Sequence, residues 1–238
     1  MRNFNRKHDE IRNVAFATPR DSFAEGSCLI TLGKTQVICN ATVEYSTPKW
    51  LNSKKSGWIT AEYCMLPRAT EKRNNREITL GKKSSRSSEI QRLIGRSIRS
   101  VVDLEIMPGI QIFLDCDVLL ADGGTRTASI NGAFIALSKA IRKLIKRKVI
   151  SSNPIKSHLA AISCGIVENT VLLDLDYDED SKASVDANFV FNSNLNLCEV
   201  QVSAEKKTFS ESQFIEMLNI SKKGVSHIFK LQNKVLNE

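Results

Sequence analysis

The stretch that most limits the fold runs from residue 111 to 145. Residues 111–120 form an apolar run interrupted by Asp115 and Asp117, whose spacing of two puts both carboxylates on one face of a strand. Ala121-Asp122-Gly123-Gly124-Thr125-Arg126-Thr127 follows, and 128–145 is helical in composition. A strand, a glycine turn and a helix in direct succession commit the chain to the α/β class. Residues 27–44 alternate apolar and polar around Gly33-Lys34, which predicts a β-hairpin. Ser88-Glu89-Ile90-Gln91 is a capping-box pattern opening a second helix, with Ile90, Leu93, Ile94, Ile98, Val101 and Val102 as its apolar face, running to about Ile106 before Pro108-Gly109. Ser151-Ser152-Asn153-Pro154 marks a boundary, beyond which strands are expected around 159–167, 170–176, 185–191 and 197–203. A closing helix is marked by the capping box of Ser210 and Gln213 and the hydrophobic staple of Phe209 and Phe214. The order of strands followed by helix occurs twice, so the expectation is an α/β (α+β) fold of two similar halves, 1–150 and 151–238, packed as one unit without a residue-level repeat.

Composition removes several functional classes. No apolar stretch approaches the roughly 20 residues that span a bilayer, and the opening Met-Arg-Asn-Phe-Asn-Arg-Lys has no apolar signal core, so a cytoplasmic protein with no membrane partner is expected. The six cysteines have no C-x-x-C pairing and read as buried reduced thiols. The three histidines lie near no Gly-x-Ser-x-Gly signature, which disfavours triad chemistry. Carboxylates, cations or a metal must then carry any reaction.

The formal charge of +8 is unevenly placed. Residues 68–99 hold ten Lys or Arg against three Glu, a net of +7, whereas 174–186 hold six carboxylates against one Lys, a net of −5. A basic surface beside a compact acidic spot suits a polyanion held near a divalent cation. Gly123-Gly124-Thr125-Arg126-Thr127 lies at a helix entry, where free N–H groups attract an anion, Thr125 offers a hydroxyl and Arg126 a planar fork for phosphate. Arg86 precedes the other helix start and would bring a second guanidinium to the same anion, although a glycine turn alone is common in α/β proteins. The acidic run requires solvent, cationic partners or a hard cation such as Mg²⁺. Arg68, Arg73 and Arg76, in a polar loop over 67–86, are candidates for phosphodiester contacts. Arg92, Arg96 and Arg99 fall on one helix face and are at least as well read as internal ion pairs, a solvated face or a subunit contact. Trp50 and Trp58 flank a lysine-containing loop and read as packing residues or as base-stacking platforms.

Residues 57–70 (GWITAEYCMLPRAT), 89–96 (EIQRLIGR), 115–128 (DCDVLLADGGTRTA), 175–181 (LDYDEDS) and 199–205 (EVQVSAE) resemble the bacterial ribonuclease PH family, in that family's order. The resemblance implies a ribonuclease PH-like fold and phosphorolysis: inorganic phosphate attacks the 3′-terminal phosphodiester of RNA, chiefly precursor tRNA, and releases a nucleoside diphosphate. It implies that Arg86, Gly124, Thr125 and Arg126 hold the phosphate. Asp180 and Asp186 would bind Mg²⁺, or Mn²⁺ in its place, and Arg68, Arg73 and Arg76 would contact RNA. It further implies a homohexamer built as a trimer of dimers. The rival readings are a non-catalytic RNA-binding ring subunit and a hydrolytic 3′ exonuclease. The chain departs from the pattern at Ser85, where the family usually has Gly, and would be strained by roughly 1 kcal/mol if that position needed a positive φ. Leu120, the opening Arg2-Asn-Phe-Asn-Arg6 and Val202-Ser203 are further departures.

Overall fold

The structure, a computed structural model, describes residues 2–19, 23–51 and 56–237. Its first sheet contains β1 (Val14–Ala17), β2 (Gly26–Leu32), β3 (Thr35–Glu44), β4 (Trp58–Met65) and β5 (Gln111–Leu120), in the spatial order β1-β2-β3-β5-β4. The hairpin forms where the alternation places it, and Gly33 at φ +58° supplies a left-handed residue in its turn. β5 runs antiparallel to β3 but parallel to β4, so the chain between β4 and β5 must cross over, and it carries α1 (Ser85–Arg99) in doing so. The second sheet, β6 (Leu159–Val167), β7 (Thr170–Leu173), β8 (Val185–Asn192) and β9 (Leu197–Ala204), is antiparallel throughout in the order β7-β6-β8-β9.

Between the sheets lies α2 (Thr125–Lys146), with sixteen of its 22 residues buried. A helix covered on both sides needs no polar stripe, which explains its apolar composition. It packs on β2 and β3 so closely that a Cβ added at Gly26 would sit 1.9 Å from the Ala136 carbonyl oxygen, and one at Gly132 would sit 2.7 Å from Cys39 Sγ. Toward the second sheet, the buried Asn131 amide donates to the Ala161 carbonyl at 2.9 Å and accepts from the Ala161 N–H at 2.8 Å. The closing α4 (Glu211–Asn237) begins with the expected reciprocal cap, in which Gln213 N–H donates to Ser210 Oγ and Ser210 N–H donates to Gln213 Oε1. Phe209 and Phe214 both pack against the second core.

Several boundaries differ from the sequence expectation. Ser84, not Ser88, caps α1 by accepting from Ser87 N–H, and the Ser87 hydroxyl is engaged by Glu77. The helix stops at Arg99, because Val102 leaves it to bridge Ile155 and Asp103 caps a separate short turn, Leu104–Ile106. Helix α2 starts at Thr125 rather than at 128, and β7 ends at Leu173 because Asp174 turns to φ +53°. Cys28, Cys39, Cys116 and Cys164 are buried thiols as expected, but Cys64 is exposed. Arg96 pairs with Glu199 at 2.8 Å, while Arg99 donates to the Ile59 carbonyl and lies 4.4 Å from the Trp58 ring centre. Trp58 also meets Trp50 edge-to-face at 4.8 Å, so its role here is packing. Lys54 and Lys55 of the intervening loop lie outside the described residues. No helix among the described residues is long and apolar enough to cross a membrane.

The two sheets are joined at the future site by one guanidinium. Arg12, with its side chain 1% exposed, donates to both carboxylate oxygens of Asp174 at 3.0 and 2.7 Å, and to the carbonyls of Asp122, Gly123 and Leu175. Gly123 and Gly124 are required here by their positive φ and by this crowding. A Cβ at Gly124 would lie 2.9 Å from the Arg12 guanidinium, and one at Gly123 2.6 Å from the Leu175 carbonyl. Removing one partner of a buried pair strands the other charge, so Arg12→Met is expected to lower stability by about 3–5 kcal/mol in urea denaturation. Combining it with Asp174→Leu should recover much of that loss, and strictly additive losses would show that the pair is not coupled.

Candidate active site

The acidic segment divides into carboxylates that hold the fold and carboxylates that remain available. After Asp174 leaves the β7 ladder, its N–H bonds the Ser163 carbonyl and Leu175 N–H bonds the Ser163 hydroxyl, which sets the direction of the following turn. Asp176 then caps α3 (Tyr177–Lys182) in a capping box with Glu179. Arg2 grips Glu179 at 2.6 Å, and Arg6 lies within 3.6 Å of Asp174, Asp176 and Glu179. Three of the six carboxylates are thus neutralised by the N-terminal arginines together with Arg12. Asp178 is exposed, and Asp180 and Asp186 are left facing a cleft.

That cleft gathers the residues singled out from sequence. Arg86, Gly124, Thr125, Arg126, Asp180 and Asp186 all line it, together with Ser163 and Asn188. Arg86 projects from the first turn of α1, and Thr125 and Arg126 from the first turn of α2, so two helix N-termini meet one space. Ser85 is the first helical residue and has no positive φ, so it imposes no strain on Arg86. Tyr63 donates to Thr125 Oγ at 2.9 Å, which leaves the threonine hydroxyl hydrogen free to donate to a ligand. Arg126 is held loosely, 3.4 Å from Asp186 and 3.6 Å from Glu89, and its buried Nε has no hydrogen-bond partner. A guanidinium so placed has capacity to spare for an incoming anion.

The carboxylates are correspondingly uneasy. Solvent reaches Asp180, yet surrounding protein strips enough hydration to push its carboxyl above the usual range, against Arg86 and Arg126 and with help from Glu205. Burial pushes Asp186 up as well, and the neighbouring Asp180 charge adds to it. Among the described residues no cluster of three or more His, Cys, Asp or Glu is arranged to hold a metal. Two carboxylates that repel each other nonetheless fit a hard cation such as Mg²⁺, which takes one or two carboxylates and completes its shell with water and phosphate.

Other candidates fall outside the cleft. Arg68, Arg73 and Arg76 are exposed on the segment between β4 and α1. The base of that segment is tied to the glycine turn, because Ala121 N–H donates to the Ala69 carbonyl at 2.8 Å. Asp115 and Asp117 share one face of β5, as their spacing requires, but that face lies away from the cleft, and both carboxyls are pushed up by burial and by Glu62. Sequence reasoning overlooked Tyr63, Ser163 and Asn188. Asn188 was accessible to it, since it stands two residues from Asp186 on β8 and so shares its face.

Residues 10–143 match domain 1 of the 3′ exoribonuclease family and residues 159–224 match its domain 2. The chain belongs to this family. It is 51% identical over 236 residues, 99% of its length and 100% of the relative's, to "Ribonuclease PH" of Methylobacterium sp. (strain 4-46), and 50% identical with the same coverage to "Ribonuclease PH" of Methylobacterium nodulans. Among solved structures, the Archaeoglobus fulgidus exosome with RNA bound to the active site aligns over 98% of this chain and 92% of that one, at TM-score 0.80 and 25% identity. Rice Rrp46 aligns over 99% of this chain and 100% of that one at TM-score 0.79 and 20% identity, a likeness of fold.

A carboxyl raised in the folded state destabilises that state once the pH exceeds its unfolded value. Asp180→Asn is therefore expected to melt at the same temperature as the parent or higher at neutral pH without metal. The difference should vanish below about pH 4, where the unfolded aspartate is itself protonated. Turnover should fall to background in the same preparation, whereas lower stability with near-parent turnover would make Asp180 a structural carboxylate.

Proposed function

We propose that Arg86, Gly124, Thr125 and Arg126 hold inorganic phosphate as co-substrate while Asp180 and Asp186 face it across the RNA 3′ end. The chain, as a ribonuclease PH-type 3′ exoribonuclease, removes terminal nucleotides by phosphorolysis. The observation that carries this reading is the meeting of two helix N-termini and two arginines in one cleft with two carboxylates opposite. A hydrolytic nuclease would have no use for such a phosphate cradle.

The two guanidiniums bring a dianion to a phosphodiester that would otherwise repel it, and the first-turn N–H groups of α2 with the Thr125 hydroxyl fix its orientation. An oxygen of monohydrogen phosphate forms a bond to the phosphorus. The bond to O3′ of the penultimate nucleotide breaks, its electron pair stays with that oxygen, and the proton of the attacking phosphate ends there. The products are a shortened RNA and a nucleoside diphosphate. Mg²⁺ or Mn²⁺ held by Asp180 and Asp186 would supply positive charge for the scissile phosphate and the departing oxygen. Arg68, Arg73 and Arg76, anchored beside the glycine turn through Ala69, would hold the RNA backbone upstream. The RNA proposed is the 3′ end of precursor tRNA, the assembly a homohexamer arranged as a trimer of dimers, and the compartment the cytoplasm.

The deciding assay incubates the protein and Mg²⁺ with a tRNA carrying extra 3′ nucleotides, with and without phosphate. Nucleoside diphosphates released only when phosphate is present are the expected products, and monophosphates would overturn the reading. Changing Arg68, Arg73 and Arg76 together to Ala should weaken RNA affinity and flatten its salt dependence, because fewer counterions are released on binding. An unchanged slope would leave the loop a solvated surface.

A further inference from the structure

Beside the phosphate cleft lies a second hollow of about 430 Å³, within the size range of sites for small organic ligands. Arg126, Asp186 and Asn188 line both, so the two spaces share a wall. Its floor is the polar face of β8 and β9, where Asn188 stands opposite Gln201 and Asp186 opposite Ser203 in the antiparallel register.

Two polar atoms in this wall are buried without any partner, Gln201 Oε1 and Arg126 Nε. A stranded buried acceptor is costly, so a ligand group that satisfies it is selected strongly. Rotating the Gln201 amide would exchange an unpartnered acceptor for an unpartnered donor. A ribose hydroxyl, which both donates and accepts, satisfies either orientation through a single atom. Arg126 Nε is the matching donor for a phosphate oxygen on the same nucleotide.

Resting on the phosphorolytic reading above, we propose that this hollow receives the ribose of the 3′-terminal nucleotide and that Gln201 bonds its 2′-hydroxyl, making Gln201 a residue that distinguishes an RNA end from a DNA end. The terminal nucleotide carries the attacked phosphorus on its 5′ oxygen, so its sugar must lie directly beside the phosphate cleft. The leaving O3′ belongs to the penultimate sugar, so a change at the terminal 2′ position leaves the bond-breaking chemistry alone.

The test compares kcat/KM for two oligoribonucleotides that differ only in a terminal ribose or 2′-deoxyribose, in the parent and in Gln201→Leu. The parent is expected to favour the ribose end roughly ten- to hundredfold, the range for leaving a buried polar group unsatisfied. Gln201→Leu should lose activity on the ribose end and bring the ratio to within about threefold. Should Gln201→Leu fail to fold, Gln201→Met, which keeps the length of the side chain, is read in the same way. A variant that keeps the parent's ratio overturns the proposal. A parent that releases diphosphate yet ignores the terminal 2′-hydroxyl overturns this inference alone, and a parent that releases no diphosphate overturns the reading beneath it.

Discussion

The ion pair of Arg12 and Asp174 is the constraint on which the site depends. The glycine turn that opens α2 lies at the end of β5 in the first sheet, and the acidic segment follows β7 in the second. Packing of α2 holds the sheets together, but apolar contact is non-directional and tolerates small sliding. The guanidinium removes that freedom, because its donors are spent on Asp174 and on the carbonyls of Asp122, Gly123 and Leu175. One fork thereby sets the distance between the turn that offers N–H groups and the turn that offers carboxylates. Catalysis by orientation needs that kind of rigidity.

Within the acidic segment, the same residue type does two jobs according to its cationic neighbours. Asp174, Asp176 and Glu179 face Arg2, Arg6 and Arg12 and build a short capped helix. Asp186 meets only Arg126, at 3.4 Å, and Asp180 has no cation within ion-pair distance among the described residues. Their raised carboxyls and the loosely held Arg126 are an arrangement that stabilises the bound state of the site at some expense to the empty protein.

The sequence made the strand, glycine turn and helix legible, since alternation and punctuation are local signals. It also placed the hairpin at Gly33 and the cap at Ser210. It misplaced the start of α1, because Ser88 with Gln91 satisfies the capping-box pattern and Ser84, followed three residues later by Ser87, does not, yet it is Ser84 that accepts from the Ser87 N–H. Arg86 thus lies inside the helix rather than ahead of it. The acidic segment could not be resolved from sequence at all, because its neutralising arginines lie more than 160 residues away along the chain. Tyr63 was hidden for the same reason, since it bonds Thr125 across elements that only the tertiary fold brings together.

Whether Arg86 and Arg126 act on one anion is tested most directly by a double-mutant cycle on the half-saturating phosphate concentration, using Arg86→Ala, Arg126→Ala and the pair together. Two guanidiniums that share one phosphate should give single losses whose sum departs from the double loss by more than about 0.5 kcal/mol. Losses that add within that margin would mean the two arginines serve separate sites, and the cleft would then not be a phosphate cradle.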